Sequence, residues 1–242
     1  MQDWETLSAM PGRQNHLVIV GGGPAGMVAG LLFARAGVKV TVLEKHGDFL
    51  RDFRGDTVHP STLRIFSEMG LLERLLERPH DKVRGIGGLI GGTPVELADL
   101  SGFDPRWNFI AMMPQWEFLD FVAEEARCYP NFALLMNAEG TGLVEEEGRV
   151  AGVRFRREGR EESLAARLVI AADGRHSAMR GLGGMTVRDL GAPMDVFWFR
   201  LPKVRTEEND TTGVFAAGRI IALIDRGDYR QCAYVFPKGM AD

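Results

Sequence analysis

The stretch Leu17 to Gly26, LVIVGGGPAG, sets an apolar run directly before Gly21-Gly22-Gly23-Pro24-Ala25-Gly26, and a second apolar run, Lys39 to Leu43, ends at Glu44. A glycine turn that opens a helix offers backbone N–H groups to an anion, and an acid closing the next strand can accept hydrogen bonds from a ribose diol. The chemistry this order suits is the binding of a cofactor that contains ADP. Gly21 permits the tight turn, Gly23 lets the backbone approach the phosphates, and Gly26 lets the helix pack closely on its sheet. Glu44 follows Gly26 by 18 residues, close to the roughly 20 of the dinucleotide fingerprint. Its charge opposes a 2′-phosphate on the same ribose. Taken alone, the glycine pattern is also compatible with a plain glycine-rich turn.

A second carboxylate, Asp173, ends the continuously apolar run Leu168 to Ala172 and opens Asp173-Gly174-Arg175-His176-Ser177-Ala178-Met179-Arg180. Such a run suits a strand buried on both faces of a central parallel sheet. Open α/β sheets bind ligands at the carboxyl ends of such strands, which makes Asp173 a ligand candidate, with a simple Asp-Gly turn as the alternative. Arg51, Arg54, Asp56 and His59 crowd into an aperiodic loop after Glu44, facing either a ligand or solvent. Lys45 adjoins the acid and is counted with the site. Gln115 falls in the first turn of a predicted helix, where a side chain reaches a nearby ligand or simply the surface. No acid or base can be named for catalysis; His59 and His176 are the nearest by type, and a structural or cofactor-side place suits both better.

These residues need elements to hold them. Periodicity predicts a strand at Leu17, a helix through about Ala36 and a strand from Lys39. Two short amphipathic helices follow from Pro60, hinged at Gly70 and capped by Ser61 or Thr62. Residues 81 to 110 are short strand-like pieces that begin a second sheet. A helix starts at Pro114, with Trp116, Leu119, Phe121, Val122 and Ala126 as its apolar set, and stops at Pro130. FALLM is a strand, and three or four more lead to Asp173, with turns at Glu147-Gly148 and Glu158-Gly159 making a meander. Beyond Gly184, MDVFWFRL, GVFAAGRIIALI and DYRQCAYVF read as three antiparallel strands without crossover helices. That sheet could wall a pocket for a flat organic molecule, although Phe197, Trp198, Phe199, Tyr229, Tyr234 and Phe236 suit a core better than ligand contact. The fold expected is α/β (α+β): a Rossmann-like cofactor domain of residues 1–80 and 110–183 with a β-meander, and an incomplete β-sheet-rich substrate domain of residues 81–109 and 184–242.

With 242 residues, 45% hydrophobic and 26% charged, and a formal charge of -4, the chain can bury a sizeable core. Mild acidity without an arginine stripe argues against nucleic acid. Cys128 and Cys232 have no metal-ligand spacing and fit a reduced, cytoplasmic setting. No apolar run has the length of a membrane span, and Met1 to Asn15 lacks the apolar centre of a signal peptide.

GGGPAG with Glu44, the Arg54-Gly55 loop followed by His59-Pro60-Ser61-Thr62-Leu63, and ADGRHSAMR together resemble the single-component FAD-dependent aromatic hydroxylases, the p-hydroxybenzoate hydroxylase class. The last stretch matches that family's second motif, D-G-x-x-S-x-x-R, and the resemblance covers roughly residues 16 to 236. It implies that Gly21, Gly23, Pro24, Ala25, Gly26, Glu44 and Lys45 hold the ADP half of FAD. It further implies that Arg54 and Gln115 contact the cofactor, and that Asp173 and Gly174 serve both FAD and a nicotinamide nucleotide, with Arg180 shaping the motif. The implied activity is a monooxygenase reaction: NADH or NADPH reduces FAD, O2 reacts, and one oxygen atom enters an aromatic substrate. An oxidoreductase that transfers hydride without inserting oxygen, and a non-catalytic FAD-binding protein, are the alternatives. The family's late Gly-Asp-Ala motif has no match here, since Arg226-Gly227-Asp228-Tyr229 lies among the antiparallel strands without a helix. The chain is therefore expected to be part of a longer protein, and in isolation to bind FAD weakly and to leave hydroxylation undetectable.

Overall fold

A computed structural model of the chain describes residues 16–50, 56–203, 211–226 and 229–240. In chain order the elements are β1 (His16–Val20), α1 (Pro24–Arg35), β2 (Lys39–Leu43), α2 (Pro60–Glu68), α3 (Leu72–Leu75), β3 (Asp81–Val83), β4 (Gly85–Ile90), β5 (Thr93–Asp99) and β6 (Ile110–Met112). There follow α4 (Gln115–Arg127), β7 (Phe132–Leu135), β8 (Ala138–Glu146), β9 (Arg149–Arg157), β10 (Arg160–Ala165), β11 (Leu168–Ala171), α5 (Ala178–Leu182), β12 (Met194–Pro202), β13 (Thr212–Ala216), β14 (Arg219–Asp225) and β15 (Tyr229–Pro237). They form two compact units, Met1–Arg54 with Gln115–Val187, and Gly55–Pro114 with Arg188–Asp242. Helices α2 and α3, grouped by sequence with the cofactor strands, fall in the second unit.

The first unit is a Rossmann-like layer with a β-meander. Its parallel sheet has the order β11-β1-β2-β7, with Val18 facing Val169 on one side and Thr41 on the other. The two inner strands are buried on both faces: no residue of Leu17–Val20 or Val40–Leu43 exceeds 4% exposure. Helix α1 buries Gly26, Met27, Gly30, Leu31 and Ala34, a stripe at helical spacing, and starts with Pro24 at its first position, where no N–H is needed. The antiparallel sheet β10-β9-β8 is joined by two-residue turns in which Glu147 and Gly148 have φ of 53° and 75°, and Glu158 and Gly159 have φ of 51° and 75°. Positive φ at both positions matches the twist of the flanking strands. Val18, Val20, Leu43, Leu135, Val153, Phe155 and Met179 close one core between the sheet and the meander.

The strand before Asp173 departs from its expected place. Continuous apolarity predicted burial on both faces, but β11 is an edge strand with Leu168 53% exposed. Its apolar side chains meet β1 and the meander on one side, and no strand pairs with its outer edge among the described residues.

The second unit is a β-rich layer of order β12-β15-β14-β13-β4-β5, accompanied by the two-stranded β3-β6 pair. GVFAAGRIIALI is two strands rather than one, because Gly218 at φ 73° turns the chain between β13 and β14. The sheet is mixed, since β13 runs parallel to β4. Phe236 is buried at 6%, but Phe197, Trp198 and Phe199 are 52%, 39% and 38% exposed, contrary to a core position for those three. Asp56, expected to face a ligand or solvent, is buried and takes Arg226 Nη2 at 3.1 Å, while Arg226 Nε donates to Gln231 Oε1 at 3.0 Å. The N-cap position of helix α2 is His59, with no side-chain cap and with Pro60 at the first helical position, two residues before the predicted Ser61 and three before Thr62. Among the described residues no helix is long and apolar enough to cross a membrane.

Close packing in the first unit gives a stability test. A Cβ added at Gly26 would stand 1.9 Å from the Gly21 carbonyl oxygen, whereas one at Gly30 would meet only side-chain atoms, Val42 Cγ2 at 2.9 Å and Phe132 Cε2 at 3.0 Å. Gly26→Ala should lower the free energy of unfolding in urea by about 1–3 kcal/mol or more, and Gly30→Ala by less, because side chains yield more readily than backbone. Equal costs for the two would show that the turn under α1 moves freely.

Candidate cofactor site

The glycine turn is locked from three directions. Gly21 has φ 110°, open chiefly to glycine, and donates its N–H to the Leu43 carbonyl at 2.8 Å. A side chain there would strike the Ala172 carbonyl oxygen at 2.2 Å. Gly26 abuts the Gly21 carbonyl and the Ala172 side chain, so it fits the helix against the turn, and the contact with the sheet belongs to Gly30. Gly22 donates its N–H to Glu44 Oε2 at 2.8 Å. Glu44 Oε1 accepts the His46 N–H at 3.0 Å, so the acid, 8% exposed, fastens the turn and its own strand end together.

Asp173 stands just past the end of β11. Its Oδ2 accepts the Met179 N–H at 3.1 Å, at the start of α5, while Oδ1 is buried with no hydrogen-bond partner among the described residues. Ser177 caps α5 by accepting the Arg180 N–H at 2.9 Å, and Arg180 Nη2 donates to the Arg175 carbonyl at 2.8 Å. Arg180 thereby braces the loop that holds Asp173 in place.

These pieces enclose one side of a cavity of about 310 Å³, at the lower end of small-molecule sites. It is lined by Gly21 and Gly23 of the turn, by Glu44, Lys45 and His46, by Ala138–Gly140 of β8, and by Asp173, Gly174 and His176. Six residues proposed from sequence thus meet in one place: Gly21, Gly23, Glu44, Lys45, Asp173 and Gly174. Pro24 and Ala25 are exposed on the first turn of α1 and do not line it, and Gly26 is buried beneath the turn. Gln115 opens α4 and Arg180 lies in α5, both outside the lining. Arg54, like Arg51, lies outside the described residues.

Sequence reasoning missed the wall from β8, where Ala138 donates its N–H to the Glu44 carbonyl at 2.8 Å and Asn137 to that of His46 at 2.9 Å. The signals for it were Asn137, with φ 56°, and Gly140, where a Cβ would stand 2.7 Å from Val20 Cγ1. His46 carries no such signal.

The residues present fit a dinucleotide. A Cβ direction with nothing within 4 Å at Gly23 leaves the backbone at the start of α1 open to a diphosphate. Oxygen acceptors at Glu44 suit a diol, and the buried Asp173 Oδ1 calls for a donor.

The chain is similar to known proteins over most of its length. The chain is 30% identical to 6-methylpretetramide 4-monooxygenase of Streptomyces rimosus over 231 residues, covering 93% of this chain and 54% of that protein. It is 30% identical to rifampicin monooxygenase of Streptomyces venezuelae over 176 residues, covering 70% of this chain and 34% of that one. The chain spans about half or less of the length of the curated relatives it matches. Among solved structures, PqsL of Pseudomonas aeruginosa shares the fold with a TM-score of 0.78 at 22% identity, covering 94% of this chain and 62% of that one. The flavin-dependent halogenase CmlS does so with a TM-score of 0.79 at 22% identity, covering 91% of this chain and 41% of that one. The family model described as FAD binding domain matches residues 14–227, and the chain, with its locked glycine turn and paired acids, belongs to that family.

Proposed function

We infer that this chain is the FAD-binding part of a monooxygenase that uses NADH or NADPH and O2 to hydroxylate an aromatic or similarly flat organic substrate. The observation that carries the reading is the shared cavity of Gly23, Glu44 and Asp173, whose Oδ1 has no partner among the described residues, in a chain of the FAD binding domain family. The names of its relatives, 6-methylpretetramide 4-monooxygenase and para-nitrophenol 4-monooxygenase among them, support oxygen insertion into rings. FAD supplies the redox and oxygen chemistry when bound. The chain's own work is to receive the diphosphate at Gly23 and the first turn of α1, to hold the ribose hydroxyls at Glu44 beside Lys45, and to accept a cofactor hydrogen bond at Asp173. Arg54 and Gln115 are further cofactor contacts, Arg180 keeps Asp173 in position, and the β-rich unit serves the substrate.

The reading is tested on the protein as the cell makes it. NADH- or NADPH-dependent oxygen uptake across a panel of phenols, with labelled O2, should give product carrying one labelled oxygen. Oxidised product without label, or halogenated product when chloride or bromide is supplied, would replace hydroxylation by hydride transfer or by halogenation.

Two substitutions probe the cofactor side. Gly23→Asp should abolish binding of FAD and of ADP in calorimetric titration while leaving the far-ultraviolet circular dichroism unchanged, because the open space at Gly23 would receive a like charge. Glu44→Ala should weaken FAD by about 1.5–3 kcal/mol, the loss of hydrogen bonds to a charged group. It should also lower thermal stability, since the Gly22 N–H loses its acceptor. An unchanged FAD affinity would leave Glu44 with the turn alone.

A further inference from the structure

Three non-glycine residues have positive φ among the described residues: Asn137 at 56°, Glu147 at 53° and Glu158 at 51°. The two glutamates open hairpin turns within the meander, where the twist of the strands calls for that conformation. Asn137 has no hairpin to serve. With Met136 it joins β7 of the parallel sheet to β8 of the meander, strands that belong to different sheets. This junction wraps the end of β2. Leu135, the last residue of β7, accepts the Glu44 N–H at 2.8 Å. Asn137 then donates its N–H to the His46 carbonyl at 2.9 Å, and Ala138 donates to the Glu44 carbonyl at 2.8 Å. Both sides of the clasp line the cavity, with Glu44, Lys45 and His46 on one side and Ala138–Gly140 on the other. Asparagine enters the left-handed region more readily than most side chains, and β-branched residues enter it least readily.

We propose that Asn137 is a positioning residue: its left-handed backbone sets the separation of the two walls that receive the adenosine end of the bound dinucleotide. It acts through Glu44, His46 and Ala138 and is not itself part of the cavity lining. The adenosine end is the one concerned because Glu44 is the ribose acid, whereas the diphosphate belongs to Gly23 and α1. A residue that resists positive φ is accommodated in the ligand-free protein by loosening the hydrogen bonds from positions 137 and 138. A ligand that needs the walls closed must then restore them, and binds more weakly by that amount. The inference rests on the FAD reading and adds to it a backbone conformation that neither the glycine turn nor the Asp173 loop contains.

The test is calorimetric titration of ADP and of FAD into the ligand-free protein, for the parent, Asn137→Gly, Asn137→Ala and Asn137→Val, with thermal unfolding of each. A matched control is Gly148→Ala, which puts a side chain at φ 75° in the β8–β9 turn, outside the cavity lining. Asn137→Val should bind both ligands about three- to tenfold more weakly, as the cost of a side chain in the left-handed region requires. Asn137→Ala should lose less in the same direction, and it carries the test if the valine variant does not fold. Asn137→Gly, free to adopt the turn, should stay within about twofold of the parent. Gly148→Ala should lower Tm and leave both affinities unchanged. Parent-like ADP affinity in Asn137→Ala and Asn137→Val overturns the proposal, as does an equal loss of affinity in Gly148→Ala, which would make the effect one of general stability. Asn137→Gly as weak as Asn137→Val would assign the effect to the side chain and overturn the backbone role. A parent that binds neither ADP nor FAD would overturn the FAD reading itself, and the role of Asn137 with it.

Discussion

Three backbone segments meet at a distance only glycine allows: the Gly21 turn, the first turn of α1 at Gly26, and the end of β11 at Ala172. Everything else in the site is arranged around this contact. The turn cannot open because Ala172 blocks it from one side and α1 from another, and α1 in turn is capped by Gly23, which lines the cavity. The same contact fixes where β11 stops, and so where Asp173 begins. Phosphate-side and Asp173-side residues are therefore parts of one rigid junction, and a rigid junction loses little conformational freedom when a ligand arrives.

Glu44 extends that rigidity to the second strand. Its two oxygens accept N–H groups from Gly22 and His46, and its backbone joins β7 through Leu135 and β8 through Ala138. An acid held at these points presents its carboxylate in a fixed direction. That is worth more to a diol than a mobile carboxylate of the same charge, because the entropy of ordering it has been met in folding.

What the sequence made legible follows from how local each signal is. The turn Gly21–Gly26, Glu44 and Asp173-Gly174 carry their own constraints within a few residues, and they converge on one cavity. The hairpins at Glu147-Gly148 and Glu158-Gly159 were likewise readable, since two-residue turns need glycine at a positive φ. Placement across the fold was less so. Apolarity in Leu168–Ala171 reports that side chains meet apolar neighbours and says little about whether a strand pairs on both edges. The break at Gly218 inside an apolar run was hidden because a single glycine marks either a turn or a close approach. The β8 wall left only the faint marks of Asn137 and Gly140, because the place of Ala138 beside Glu44 is a property of strand pairing, not of its neighbours in sequence.

The sheet order also dictates when the site can exist during synthesis. Val18 pairs with Val169, 151 residues later, so β1 leaves the ribosome long before its partner. At roughly 5–20 residues per second the interval is about 8 to 30 s. Throughout it the glycine turn lacks the wall that Ala172 provides, and β1 has one strand neighbour fewer than in the finished sheet. The segment from Gly55 to Pro114 also emerges within that interval, but it too must wait, because β4 pairs with β13, which follows β11 in the chain. Cofactor capture by the completed cavity thus falls late, after Asp173 and the helix behind it have appeared, and a nascent chain stalled before residue 172 would hold half a junction whose exposed strands are open to wrong pairings.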